Sequence, residues 1–578
     1  MNKKDFIVVM LLALLIPAWM FIDRQFIAPN FNTPASAPVE ITPSLDALSE
    51  SATPSVISAL PIAAEREAPT VDEETMRISN EQLSLEITSL GGGIRSVTFS
   101  DYPAENVADS PPLSFTFSDH AAMSYRDGSG LSSEDQFTLK YVTDKTVEIS
   151  KALTGDINFV RRLTLTDRYQ IEVVDQFINT SSQAFMLPNL QMQTGYISNP
   201  AGTDSMQGLH ILGVDTYTPA GGIQYWGRKL NKQFKKSGRP AELAITPEEM
   251  QREIVDWVSA KNKFFTQVLR TKEPIATFEL FAKRDLSQKG IVPTAVAAGL
   301  TIPSRVLNAN DTFQLDYTYY LGPKNYSMLK EVGHNMEKVM EFETIGFWSF
   351  TNWIMEPARK ALLHSMNFFN RYLPGGYGVA IILLTILIRI LFWPLTHKST
   401  ESMKRMQEIQ PELKVLQEKY KKDPQRMQQE TMKLYKEKKV NPMGGCLPMF
   451  IQIPVFIALF TVLRNAIELR FADFLWIADL STSENLFSGK IPFVGALNIL
   501  PIVMSVSMIW QQKLTAPATA ITPEQQQQQK MMTVMMPILM LFFFYTMPSG
   551  LVLYWTVSNL LMIAQTGLRN VRQKAKTA

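Results

Sequence analysis

Arg389 is the residue in this chain whose type and position most demand an explanation. It sits in "TILIRILFWPL", Thr385 to Leu395, inside an apolar run from Tyr377 to Trp393 that is long enough to enter a lipid bilayer. A guanidinium near the centre of such a helix costs about 2.5–3.5 kcal/mol on insertion scales, so something must offset it. Three arrangements could do so. The side chain could snorkel to the headgroups, but Lys398 lies nine residues on, roughly 13 Å of helix at 1.5 Å per residue. An ion pair would need a carboxylate in another apolar span, and Arg389 is the only Lys, Arg, Asp or Glu in the apolar stretches 6–22, 377–395, 444–463, 493–510, 531–547 and 550–567. The guanidinium could instead face a water-filled cavity within a helix bundle, the usual setting of intramembrane ionisable groups.

The neighbouring residues fit a wet face. Thr385, Arg389, Phe392 and Thr396 recur at i, i+4, i+7 and i+11, one stripe of a helix. Gln452 lies between Pro448 and Pro454, and Trp555 and Asn559 are spaced i, i+4 in the last apolar stretch. Any one of these is ordinary helix-to-helix glue, whereas several beside an arginine point to a polar groove. Covalent chemistry is not indicated, because these apolar stretches contain no histidine, aspartate or glutamate to serve as a base. The five histidines lack metal-ligand spacing, and the single Cys446 can form neither an intramolecular disulfide nor a thiolate site. No cofactor, metal or nucleotide site is expected. Charge rings and repeated halves, the marks of a pore or a secondary transporter, are also missing.

Positioning such a stripe requires membrane helices, and the composition provides for them. With 578 residues, 46% hydrophobic and 19% charged, the chain reads as part membrane protein and part soluble domain. Phe6 to Ile22 carries no charge and follows Lys3 and Lys4, so residues 1–28 are expected to form an uncleaved, N-in signal anchor, a cleaved signal being the alternative. Residues 29–72, rich in Pro, Ala, Ser and Thr, can bury no core and read as a tether. From 73 to 325 short alternating segments take over. "LSLEIT" places Leu83, Leu85 and Ile87 on one face, and Arg161 to Asn179 reads as two strands turning near Asp167-Arg168. The expected class is a large antiparallel β-sandwich outside the cytoplasm.

Residues 326–376 hold a linker and an amphipathic helix within Pro357 to Pro374, with Leu362, Met366, Phe369 and Leu373 on its apolar face and Lys360, His364, Asn367 and Arg371 opposite. Five further spans are expected at 377–396, 441–464, 493–511, 531–547 and 550–568, giving six transmembrane helices with the anchor. The segment 397–440 carries twelve Lys/Arg against seven Asp/Glu, and 569–578 is basic without an acid. The loop Arg464 to Pro492 has three Lys/Arg and four Asp/Glu. Positive-inside counting therefore puts 397–440, 512–530 and both termini in the cytoplasm and 465–492 outside. The 397–440 segment reads as a helical hairpin turning at Lys422-Asp423-Pro424, either a solvated connector or a surface that docks a ribosome, a nucleic acid or a protein partner. Gln525 to Gln529 reads only as a mobile loop, and Met531, Met532, Met535, Met536 and Met540 as an adaptable apolar surface.

The stretches "TILIRILFWPLTHKSTESMKRMQEIQPE", "NPMGGCLPMFIQIPVFIAL" and "PSGLVLYWTVSNL" resemble the second, third and sixth spans of the YidC membrane protein insertases, relatives of the mitochondrial Oxa and chloroplast Albino insertases. The anchor and β domain are similar to the Gram-negative form. The resemblance implies a supersandwich periplasmic domain, an interfacial helix and a five-helix core around a hydrophilic groove open to cytoplasm and lipid. It places the groove residues at Arg389, Thr385, Gln452 and Trp555, the last being tyrosine in some members; Asn559 joins them from its spacing. The implied activity is insertion and folding of inner-membrane proteins, alone or with the Sec translocon. Implied partners are nascent membrane proteins, membrane lipids and, through the basic hairpin and tail, the ribosome. A ligand-binding or envelope-sensing protein with a membrane anchor and a solute transporter are the competing classes.

Overall fold

A computed structural model describes residues 73–126, 130–154, 156–200, 212–237, 241–245, 254–272, 277–284, 293–342, 351–420, 423–438, 440, 447–491, 495–515 and 523–577. The expected anchor and tether lie outside the described residues. Those that are described fall into two compact units, one reaching Met340 and one starting at Glu341.

The first unit is built from antiparallel ladders. Its main sheet has nine strands in the order Gly222–Tyr225, Gly213–Thr218, Trp257–Lys261, Phe265–Thr271, Thr312–Pro323, Gln170–Asn179, Ile157–Leu165, Thr146–Ala152 and Thr138–Thr143. A four-stranded sheet (Thr75–Ser79, Leu83–Thr88, Gly93–Pro103, Pro112–Thr116) packs on it through Phe99, whose ring centroid lies 4.8 Å from that of Phe265. A five-stranded sheet centred on Ala295–Ile302 and Thr277–Lys283 also packs against the main one. Leu83, Leu85 and Ile87 are all fully buried, as their alternation requires. The hairpin at Arg161 to Asn179 is present, with Leu165 facing Ile171 and Arg168 turning the chain at φ 53°. Deep in the core Arg161 faces Asp175 across that hairpin and grips both its carboxylate oxygens at 2.7 Å, and Tyr125 donates to the same carboxylate at 2.6 Å. A buried pair of this kind is tolerated because its hydrogen bonds are satisfied. Among the described residues two α-helices, α1 (Gly227–Lys236) and α2 (Tyr326–Val332), and a short 3-10 turn at Met336–Met340 complete the unit.

The second unit is helical: α3 (Asn352–Tyr372), α4 (Gly376–Leu391), α5 (Trp393–Glu408), α6 (Gln410–Lys419), α7 (Pro424–Glu437), α8 (Leu447–Asn465), α9 (Ile499–Thr515), α10 (Pro523–Phe544) and α11 (Ser549–Thr577). Helices α4, α8 and α9 all pack on α11. Among the described residues one helix, Ser549–Leu568, has both the length and the composition to cross a bilayer, while Gly376–Leu391, Gln452–Asn465 and Thr533–Phe544 are apolar but shorter.

Several sequence expectations need correcting. The amphipathic helix begins at Asn352 and contains Pro357, and its buried face is Met355, Arg359, Leu363 and Met366. Of the expected apolar stripe only Met366 is fully buried, and Leu373 caps the helix in the open. Arg359 turns inward because its guanidinium donates to the Phe342 carbonyl, a partner that periodicity cannot reveal. The expected second span is two helices. Pro394 cannot donate to the preceding turn, so α4 stops at Leu391 with Phe392 as its cap. The expected fourth span starts six residues late, because Leu486–Ile491 and Gly495–Leu497 form a hairpin before α9. The glutamine run is helical, in the first turns of α10 behind Pro523, consistent with glutamine's helix propensity. The hairpin at 397–440 is present as α6 and α7, with Asp423 accepting from the Arg426 amide at 3.1 Å and Lys438 paired with Glu412. The expected first arm is divided at Ile409 into α5 and α6, and α5 begins four residues before the expected segment.

Candidate functional site

Helix α11 is the element to which Arg389, Gln452, Trp555 and Asn559 all refer. Its residues Tyr554, Ser558 and Met562 follow one another at i, i+4 and i+8 and form a single stripe, with Trp555 and Asn559 on the next. Arg389, in the last turn of α4, reaches that first stripe. Its Nη2 donates to the Ser558 carbonyl oxygen at 2.7 Å and to the Ser558 hydroxyl at 2.8 Å, and its Nη1 lies 3.9 Å from the Met562 sulfur. All three partners are neutral, so the guanidinium is held without being neutralised.

Gln452 approaches the same stripe from α8, donating through Nε2 to the Tyr554 hydroxyl at 2.8 Å. Since Tyr554 and Ser558 are one turn apart, the Arg389 and Gln452 anchor points are separated by roughly 6 Å along α11. Trp555 is half-buried between the rings of Phe456 of α8 and Phe544 of α10, at centroid distances of 5.4 and 5.3 Å. Asn559 is buried and donates to Ser507 of α9 at 3.1 Å. Thr385 is buried one turn before Arg389, its hydroxyl returned to the Ile381 carbonyl at 2.7 Å. The polar stripe of α4 thus ends at Arg389. Thr396 belongs to α5, where its hydroxyl bonds the Phe392 and Trp393 carbonyls.

The structure therefore brings Arg389 and Gln452 to one face of α11, sets Trp555 in an aromatic cluster beside them, and sends Asn559 toward α9. Sequence reasoning missed Tyr554, Ser558 and Ser507. The i, i+4, i+8 spacing of Tyr554, Ser558 and Met562 was available in the sequence and pairs naturally with an arginine on a facing helix. Among the described residues no group of His, Cys, Asp and Glu could hold a metal ion.

Two family descriptions match the chain, the 60Kd inner membrane protein over residues 368–576 and the YidC periplasmic domain over residues 75–357. The membrane protein insertase YidC of Syntrophus aciditrophicus is 32% identical over 523 residues, covering 89% of this chain and 87% of its own length. That of Syntrophobacter fumaroxidans is 35% identical over 404 residues, 68% of this chain and 67% of its own. A solved crystal structure of an active YidC insertase aligns with 87% of this chain and 93% of its own, at 18% identity and a TM-score of 0.34. By its sequence, from the β domain through the last helix, the chain belongs to the YidC family of membrane protein insertases.

Proposed function

We infer that this inner-membrane protein, an insertase with a periplasmic β domain and nascent membrane proteins as its clients, receives them in a polar groove lined by Arg389, Thr385, Gln452 and Trp555, with Asn559 bracing the neighbouring helix. The observation that carries this is the Arg389 clamp. A guanidinium bonded only to neutral groups of α11 keeps its charge on offer, and with two donors committed to Ser558 it retains others for an incoming segment.

In this reading six spans cross the membrane with both termini in the cytoplasm, as the positive-inside counts favour. A short hydrophilic segment enters the groove while its apolar neighbour slides out along the exposed faces of α8 and α10, where Ile453, Ile457, Val534, Ile538 and Phe542 face outward. Arg389 attracts acidic residues of the segment. Hydrophobic partitioning, aided by the membrane potential, drives the step without a nucleotide. The basic α6–α7 hairpin and tail dock the ribosome, the surrounding lipids thin around the groove, and the Sec translocon shares larger clients. Photo-crosslinkers at Thr385, Gln452 and Trp555 test the groove. Capture of a nascent membrane protein from these positions is expected, and silence at all three with every client would remove it.

A further inference from the structure

Residues 472–487, which link α8 to α9, present three large apolar side chains outward: Leu475 is 76% exposed, Trp476 44% and Phe487 61%. The opposite side of the segment is bolted to the helices. The Leu480 carbonyl accepts from the Gly550 amide at 2.9 Å and that of Thr482 from the Ser549 amide at 2.7 Å, so the segment satisfies the first free amides of α11. Phe474 lies so close on Gly378 of α4 that a Cβ there would sit 2.2 Å from its ring. Glu484 accepts from the Leu500 amide at the start of α9 at 3.0 Å and from the Trp476 indole at 2.9 Å, which fixes the indole's direction. Phe471, Leu475 and Phe487 all hold left-handed φ, at 58°, 55° and 55°. Bulky residues there are strained.

A loop facing water would relieve this strain with glycine or asparagine and would turn its apolar residues inward. Here the strain is kept and the apolar tips are held rigidly outward, next to the exposed apolar faces of α8 (Ile453, Ile457) and α9 (Ile502, Val503, Val506) whose ends the segment joins. Between Ala466 and Ile491 the chain carries Glu468, Asp473, Asp479 and Glu484 against Arg470 and Lys490, a balance that suits zwitterionic rather than anionic headgroups. We propose that Leu475, Trp476 and Phe487 form a preorganised rim seated at the lipid interface of the bilayer, anchoring the end of the bundle at which α8 gives way to α9. Amphipathic indoles favour that depth.

The proposal rests on the membrane-spanning reading of the helical unit, and the test separates the two. In the full chain with Cys446→Ser, in zwitterionic nanodiscs, an environment-sensitive fluorophore is attached singly at Leu475→Cys, at Ile457→Cys on α8 and at Tyr141→Cys on the β unit. The probe at 475 should emit to the blue of that at 141 and lose about half its intensity to lipids carrying a nitroxide near the glycerol, the depth of an aromatic belt. Deeper nitroxides should quench 457. Quenching at 457 with none at 475 overturns the rim and leaves the spanning helices intact. No lipid quenching at either removes both. A blue-shifted but unquenched 475 probe places a protein surface there instead of lipid, and also overturns the proposal.

Discussion

Replacing Ser558 by alanine isolates the clamp on Arg389 without touching the arginine. The substitution removes the 2.8 Å bond to the hydroxyl and leaves the 2.7 Å bond to the carbonyl, so half of the Nη2 anchorage is lost. A hydrogen bond to a charged group is worth about 1.5–3 kcal/mol, which lowers the ratio of docked to undocked guanidinium by roughly 10- to 100-fold at about 1.4 kcal/mol per decade. The assay is insertion into proteoliposomes of two clients that differ only in whether the short translocated segment carries acidic residues. S558A should lower insertion of the acidic client selectively, S558T should restore it by returning a hydroxyl, and R389A should lower it further. Equal insertion of both clients by S558A and wild type, with R389A impaired, would refute the idea that Ser558 holds the arginine in its working position.

Other outcomes follow from particular contacts. Tyr554→Phe leaves the Gln452 amide without its 2.8 Å partner, and a cycle with Gln452→Ala should return a coupling of about 1 kcal/mol in thermal unfolding in detergent; zero coupling would remove the pair. Gly378→Ala places a methyl 2.2 Å from the Phe474 ring, so it should destabilise by about 1–3 kcal/mol, with Phe474→Leu partly restoring the unfolding midpoint. Burial, and after it the Arg126 guanidinium, hold the His120 imidazole below its ordinary 6.5, so the neutral ring is the native form. The unfolded chain then takes up the proton first, and stability falls as pH drops through 6.5 toward the lower native value. Unfolding of the β unit in the full chain should show this slope, and His120→Asn should flatten it; identical slopes would exclude the histidine.

Much of the architecture was legible because it rests on local rules. Alternation at Leu83, Leu85 and Ile87 and the turn at Asp167-Arg168 predicted strands that the structure contains, and Asp423-Pro424 predicted a helix start at the residue where α7 begins. Errors arose where a local rule was under-read or a distant partner decided the outcome. Pro394 marks the end of α4 in the sequence itself, yet the hydropathy around it is continuous and hid the break. Arg359 is an inward-facing residue only because a carbonyl from a preceding segment meets it. The candidate site shows the same division. Arg389 stands out by charge alone, but that Ser558 receives it and that Ser507 takes Asn559 depends on how α4, α9 and α11 are rotated against one another. A single helix's periodicity does not carry that information.

The way Arg389 is held bears on why an arginine, and not a lysine, stands there. Nη2 spends both of its N–H groups on Ser558, one on the carbonyl and one on the hydroxyl, while Nη1 has only a thioether nearby. A guanidinium can divide its five donors in this way, anchoring through one nitrogen and offering the others in a fixed plane. A lysine ammonium bonded to the same two oxygens would keep one proton and no preferred direction. A carboxylate partner in the bundle would have stabilised the arginine more, but it would also have cancelled the field that an acidic segment should feel. Anchorage by neutral groups keeps position and charge together. If that is the reason for the arrangement, Arg389→Lys should retain attraction for acidic clients but lose discrimination between acidic segments of different register, and an aspartate introduced at Ser558 should abolish the preference for acidic segments altogether.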